Sequence, residues 1–300
     1  MILVVGATGV VGGMISRGLL EEGKDVRVLV RRDSPSSQLV HQGLATSPES
    51  LIEAGAQPVH EDLRDRASLD AALKDIDTVI STANSAMRGG EDNPESVDLE
   101  GNQNLIEAAR DAGVEHFVFV SLLGADPDHP VPFMRGKGQS ESALRESGMV
   151  YTILAPTAFM EFWPAMVVGM PALQGRPVVL VGEGRRRHSF VSNRDVAAFV
   201  LAALENPAAR NEHLAIGGPE PLTWLDVVAT YGRVLDRSIP VEFVAMGEPV
   251  PGLPDPMPEM MAGMETYDTA LEMEETSRTF GVPLTTLETF VREQVSSQTT

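Results

Sequence analysis

The opening segment ILVVGATGVVGG constrains the fold of this chain more than any other. Its apolar residues Ile2–Val5 read as a buried strand. Glycines follow at positions 6, 9 and 12, and Val11, Ile15 and Leu19 then repeat at helical spacing. A strand, a glycine-rich turn and a helix, in that order, open a dinucleotide-binding unit. Gly6 permits the tight turn, Gly9 lets the backbone approach a pyrophosphate, and Gly12 allows close helix–strand packing. The helix N-terminus presents N–H groups to the anion. A glycine-rich turn without a ligand is the alternative, and the strand–turn–helix setting argues against it. The candidate cofactor contacts here are Gly6, Thr8, Gly9, Val10, Val11 and Gly12.

Further β-branched runs at 26–30, 57–60, 78–81, 117–121 and 151–154 predict strands. Helical spacing lies between them, as in Leu105, Ala108, Ala109 and Ala112. This alternation predicts a doubly wound α/β (Rossmann) fold, a parallel sheet covered by helices on both faces. The pattern loosens after Pro156. An apolar run at 178–181, a helix near 194–204, a strand near 213–216 and a helix capped by Thr223 are expected there. A proline-rich loop at 246–259 and a methionine-rich segment follow. The expected division is a dinucleotide-binding domain over 1–156 and a smaller α+β substrate-binding cap over 157–300, interleaved with the last sheet strands.

The net charge of −20 disfavours nonspecific binding to nucleic acid or anionic lipid. An anionic ligand must therefore be held by local donors. With no cysteine and no metal-like histidine spacing, neither thiolate chemistry nor a metal site is expected. No GxSxG elbow is present. No apolar run approaches the ~20 residues of a membrane span, and the N-terminal strand lacks a basic leader region, so a cytoplasmic location is expected.

The second strand ends VLVRRDS, with Arg31 and Arg32 where a carboxylate would favour a ribose diol. Guanidinium groups suit a 2′-phosphate instead, which points to NADP(H). Two solvated arginines, one neutralised by Asp33, are the alternative. Asp62 and Leu63, at the end of the third strand, stand where a side chain reaches an adenine edge. Thr82, Ala83 and Asn84 follow the fourth strand as cofactor neighbours. Ser121 ends the fifth, either to contact substrate or nicotinamide or to cap the next loop.

Read in order, GATGVVGG, VLVRR, EDLRD, VDLEGNQNLIEAARDAGVEHFVFVSLLGA and SGMVYTILAP resemble the NmrA-like group of atypical short-chain dehydrogenases/reductases. The resemblance is strong over 1–157 and weaker from Val241 onward. That group includes NADPH-dependent quinone, azo-dye and triphenylmethane-dye reductases, and also a non-catalytic transcriptional regulator. Many short-chain dehydrogenases carry Tyr-x-x-x-Lys, in which the lysine holds the nicotinamide ribose. Lys137, one of three lysines beside Lys24 and Lys74, matches that lysine, but Phe133 stands at the tyrosine position. A surface pair of Lys137 with Glu141, one helical turn on, is the bland alternative. The group often has arginine where Ala155 stands, so no cation is carried over there.

Hydride transfer to a simple ketone leaves a strongly basic alkoxide and benefits from a placed acid. A quinone or dye leaves a delocalised, weakly basic product. The missing tyrosine therefore favours conjugated acceptors, with Lys137 and Ser121 as candidate catalytic residues. Phe159, Met160, Phe162 and Trp163 in TAFMEFW form a candidate acceptor wall, or else pack the cap. Two functions remain: an NADPH-dependent reductase of a small-molecule acceptor, or a binding protein that senses NADP(H) without turnover. Neither needs nucleic acid or membrane, and either suits a monomer or a homodimer.

Overall fold

A computed structural model describes residues 1–31, 40, 45–86, 88, 90–250, 253 and 257–297. Arg32 and Asp33 lie outside the described residues, as do 251, 252 and 254–256 of the proline-rich loop. The chain divides into two compact units, one of Met1–Ala155 with Val196–Ala215, the other of Pro156–Asp195 with Ile216–Thr300.

The first unit is built on a sheet of seven strands: β1 (Ile2–Val5), β2 (Val26–Leu29), β3 (Gln57–Val59), β4 (Thr78–Ser81), β5 (His116–Val120), β6 (Val150–Pro156) and β8 (Glu212–Ile216). Their order is β3-β2-β1-β4-β5-β6-β8. The pairs β1–β2, β1–β4, β2–β3, β4–β5 and β5–β6 are parallel. Every residue of β5 is buried, as a strand covered by helices on both faces requires. The expected doubly wound fold is present. β1 and β4 have the expected bounds, β2 and β3 stop one residue earlier, β5 is shifted by one, and only β6 is longer at both ends, differences of the size in which strand boundaries ordinarily vary.

Register decides what the sheet displays. Val5 pairs with Leu29 and Ser81, and Ser81 pairs with Phe119. The carboxyl ends of β1, β4 and β5 are thus level, and the segments beginning at Gly6, Thr82 and Ser121 leave from one edge. Strand order reverses between β1 and β4, which makes the crevice beside them the usual ligand position of such sheets. Behind it pack Leu105, Ile106, Ala108 and Ala109 of the helix Asn102–Ala112, against Phe117 and Phe119.

In the second unit, β7 (Val178–Val181) pairs in parallel with β9 (Val241–Val244), a strand the sequence did not reveal. The helix Trp224–Val234 starts at the expected cap, where Thr223 and Asp226 form a reciprocal capping box. Trp224, Tyr231, Phe190, Met257 and Met261 fill the core. The methionine-rich segment forms the helix Met257–Met264, with Met257, Met261 and Met264 buried as packing residues.

Candidate functional site

Gly6 sits at φ +85°, a conformation that side chains disfavour, and a Cβ there would lie 2.5 Å from Thr82 Oγ1. At Gly12 a Cβ would fall 2.2 Å from the Gly6 carbonyl oxygen, so any side chain would push the helix off the turn. Gly9 differs. Its φ is −77° and its Cβ would meet only Gly6 O, at 3.3 Å. The protein itself constrains Gly9 less than it does Gly6 or Gly12, since the one neighbour would have to give by only a few tenths of an ångström.

Gly9 is also the N-cap of the helix Val10–Glu21. No side chain caps this end, and no acidic residue stands in its first turn. Its first N–H groups, those of Val10 and Val11 included, keep the donor capacity and dipole that attract an anion. Thr46 buttresses the turn, donating its N–H to Thr8 O at 2.7 Å and its hydroxyl to Gly9 O at 3.3 Å. The sequence reading missed this residue. The doubled glycine VGG was its signal, since a Cβ on Gly13 would collide with Thr46.

Across the crevice, Thr82 donates its N–H to Val5 O at 2.9 Å and turns its hydroxyl toward Gly6 O at 3.3 Å. Asn84 is occupied locally, donating to Thr82 O at 3.2 Å and accepting the Ala86 N–H at 3.0 Å.

Lys137 does not form the surface pair with Glu141. Its helix, Pro132–Glu146, buries Lys137, Ser140, Glu141 and Leu144 along one face. Only 2% of Lys137 is exposed. Its Nζ donates to Ala83 O at 2.7 Å, lies 3.4 Å from Asp98 Oδ1 and stands 4.8 Å from the Phe119 ring centroid. Burial pulls the amine's pKa down, and Asp98 opposes that shift. Glu141 pairs instead with Arg145 at 2.8 Å and His213 at 3.4 Å. Burial pushes its carboxyl up, but His213, Ser121 and Arg145 together hold it below its usual range. Ser121 Oγ is buried and faces Glu141 without closing a hydrogen bond of normal geometry. Asp98 was missed because its segment, Pro94–Gly101, is a π-helical turn whose residues do not fall on a 3.6-residue stripe.

At the outer end of the crevice, Arg31, His60, Asp62, Arg64 and Asp65 help line a cleft of about 330 Å³. Arg31 reaches Asp92 at 2.7 Å. Arg64 and Arg88 approach the same carboxylate at 3.7 and 3.5 Å. Asp62 is gripped by Arg64, with Nη2–Oδ2 at 2.7 Å, and its pKa is lowered chiefly by that bond. Leu63 is core, 6% exposed. A larger cleft of about 430 Å³, bordered by Glu220, Asp226, Arg233, Glu288 and Arg292, lies in the second unit and holds none of the candidate residues. Its charges pair among themselves, as in Arg292–Glu288 at 2.6 Å.

In TAFMEFW the structure separates the four candidates. Met160 and Trp163 are 1% and 8% exposed and belong to the second unit's core. Phe162 packs edge-on against Trp163 at 5.2 Å between centroids. Phe159 and Phe162 remain half-buried and keep surface that a ligand can touch. Glu161 between them accepts the Asn193 N–H at 2.9 Å at the start of the helix Asn193–Glu205. Among the described residues no cluster could hold a metal ion, and no helix is long and apolar enough to cross a membrane.

Comparison with known proteins places the chain in a family and agrees with its fold. The chain is 32% identical over 246 residues to an NAD(P)H azoreductase of Xenophilus azovorans, covering 82% of this chain and 77% of the relative. It is 30% identical over 250 residues to the photosystem II assembly factor Ycf39 of Cyanophora paradoxa, covering 82% and 73%. Its fold superposes on the NADPH-dependent quinone oxidoreductase QOR2 of Escherichia coli, solved with NADPH, at a TM-score of 0.78 and 21% identity over 98% of this chain and 100% of that one. Residues 1–298 match the NmrA-like family. By that match the chain belongs to the NmrA-like family.

Proposed function

We propose that this protein is an NADPH-dependent reductase that delivers hydride to a quinone-like, dye-like or otherwise conjugated small molecule. The observation that carries the reading is the glycine turn at the β1–β4 switch, with its uncapped helix end and a Gly9 that the fold constrains less than Gly6 or Gly12. Gly6, Gly9, Gly12 and the Val10 and Val11 N–H groups would hold the pyrophosphate. Arg31, with Arg64 beside it, would meet a 2′-phosphate, and Thr82, Ala83 and Asn84 would border the nicotinamide end. The cofactor supplies the hydride. Lys137 supplies a positive charge at that edge, which favours charge arriving on the acceptor.

The choice of acceptor rests on what is missing. Phe133 precedes Lys137 by four residues, and Tyr151, the first unit's tyrosine, begins near the opposite end of β6. An acceptor whose reduced form is a weak base needs no placed acid, so conjugated carbonyls and dyes suit the site better than simple ketones. The relative named an azoreductase supports that class. A cytoplasmic location is part of the same proposal.

A second reading has its own support. Relatives from three organisms are named assembly factors, and Lys137 Nζ is enclosed by protein at 2% exposure. Both suit a protein that binds NADP(H) without turnover. Following NADPH absorbance with a panel of quinones, enones, azo and triphenylmethane dyes separates the two, with NADPH binding read by fluorescence in the same samples. Consumption with any acceptor class, weakened in Lys137→Ala, supports the reductase. Tight binding without consumption supports the sensor.

A further inference from the structure

Asp98 is fully buried, and its two carboxylate oxygens have separate duties. Oδ2 accepts the Ser85 N–H at 3.0 Å and the Ser85 hydroxyl at 2.5 Å. Oδ1 has no hydrogen-bond partner and faces the Lys137 ammonium at 3.4 Å. Ser85 thus fixes the carboxylate's rotation and leaves one oxygen aimed at the amine. The backbone of Asp98 is fixed as well, since its carbonyl accepts the Ser140 hydroxyl at 2.8 Å and the Asn102 amide at 3.3 Å.

We propose that Asp98, set by Ser85, is the positioning residue that keeps Lys137 charged and in place at the carboxyl edge of β4. Each element packed round the amine contributes one group. The loop after β4 gives the Ala83 carbonyl and β5 gives the Phe119 face. The π-helical turn gives Asp98, and the lysine's own helix gives Glu141 one turn on. Glu141 turns its Oε2 to Arg145 and His213 and leaves Oε1 without a hydrogen-bond partner, but it is Asp98 whose free oxygen lies within ion-pair distance of Lys137 Nζ. Burial alone favours the neutral amine, and an opposite charge at this distance restores the ammonium. The inference deepens the reductase reading, in which the positive charge matters, but the pair itself can be tested without turnover.

Lysine scarcity makes the test direct. With only Lys24, Lys74 and Lys137 present, a ¹³Cε-lysine-labelled sample gives three signals, and Lys137→Met identifies the one of interest. Its pH titration reports the charge of this amine alone. In Asp98→Asn the midpoint is expected to fall by about 1–3 pH units, while Lys24 and Lys74 do not move. Ser85→Ala, which keeps both charges but frees the carboxylate, should give a smaller fall in the same direction and serves if Asp98→Asn does not fold. An unmoved Lys137 midpoint in a folded variant overturns the proposal. NADPH consumption measured alongside keeps the two readings apart. A moved midpoint with no turnover by the unmodified protein removes the reductase and leaves Asp98 in its role. With turnover, the Asp98→Asn loss should grow with pH and should vanish in a Lys137→Met background. A loss equal at all pH values and undiminished in that background marks Asp98 as mere scaffold.

Discussion

Arg31 and Asp92 form a close ion pair, 2.7 Å between Nη1 and Oδ2, at the end of the crevice where an adenosine 2′-phosphate would lie. In the proposed cofactor site this carboxylate would compete with the 2′-phosphate for Arg31. Arg64 and Arg88 share it, so three guanidinium groups converge on one acid that is only 14% exposed. A charge-assisted hydrogen bond is worth roughly 1.5–3 kcal/mol. Arg31→Ala is therefore expected to weaken NADPH binding by about ten- to hundredfold, with NADH affected much less. Asp92→Asn should act oppositely, tightening NADPH selectively, most visibly at low salt. Fluorescence titrations with both cofactors at two ionic strengths check this. Equal effects on NADH and NADPH would place the 2′-phosphate elsewhere.

The glycines separate reasons of fold from reasons of ligand. A Cβ on Gly12 meets the Gly6 backbone at 2.2 Å, and backbone cannot yield cheaply. Gly12→Ala should cost at least about 1–3 kcal/mol of stability and lose NADPH binding with it. On Gly9 the same atom meets one carbonyl at 3.3 Å with ordinary φ, so Gly9→Ala should unfold close to the unmodified protein. It should nonetheless bind NADPH poorly. Thermal unfolding beside NADPH titration tests the contrast, and unimpaired NADPH affinity in a stable Gly9→Ala would remove the pyrophosphate from this turn.

How legible this was depended on how local each signal is. The strand–glycine–helix opening and the apolar runs of β1, β4 and β5 carry their reasons in adjacent residues, so the doubly wound sheet was readable. Lys137 was conspicuous by rarity, yet its partners Ala83 and Asp98 lie 54 and 39 positions away, and no spacing rule links them. The competing pair with Glu141 looked plausible only because i,i+4 neighbours are visible in sequence and a buried partner is not. Asp62 was suspected but its partner Arg64, two residues on, was not, and Asp92 as the hub of three arginines depends on how the loop after β4 returns. β9 stayed hidden because half its residues are exposed and no alternation marks them.

His116 sets a pH limit on stability. Thr152 Oγ1 donates to Ala209 O at 2.8 Å, so its contact with His116 Nε2 at 2.9 Å must be donated by the imidazole. The ring is 4% exposed, and burial, aided by Arg210, pushes its pKa from 6.5 down to about 4. Below 6.5 the unfolded chain takes up a proton that the folded one refuses, so stability falls as pH drops from 6.5 to 4, and the loss is complete below that. The window is worth up to about 3 kcal/mol. Urea unfolding across this range should show a slope that His116→Asn largely removes. An unchanged slope would assign the acid sensitivity to other groups.

The segment TAFMEFW offers the last contrast, between packing and contact. Met160 and Trp163 fill the second unit's core, and their truncation leaves a cavity that the surroundings cannot close. Met160→Ala should cost about 2–5 kcal/mol and Trp163→Ala about 3–5 kcal/mol. Whatever acceptor affinity they lose should follow their loss of folded protein. Phe159 keeps a half-buried face while its backbone bridges to Val191. A substitution that retains the strand bridge, Phe159→Leu, should unfold within about 1.5 kcal/mol of the unmodified protein. If Phe159 touches the acceptor, KM for a flat conjugated substrate rises several-fold while NADPH affinity stays constant. Acceptor kinetics unchanged in Phe159→Leu, with folding intact, would remove Phe159 from the acceptor wall and leave Phe162 as the segment's remaining candidate.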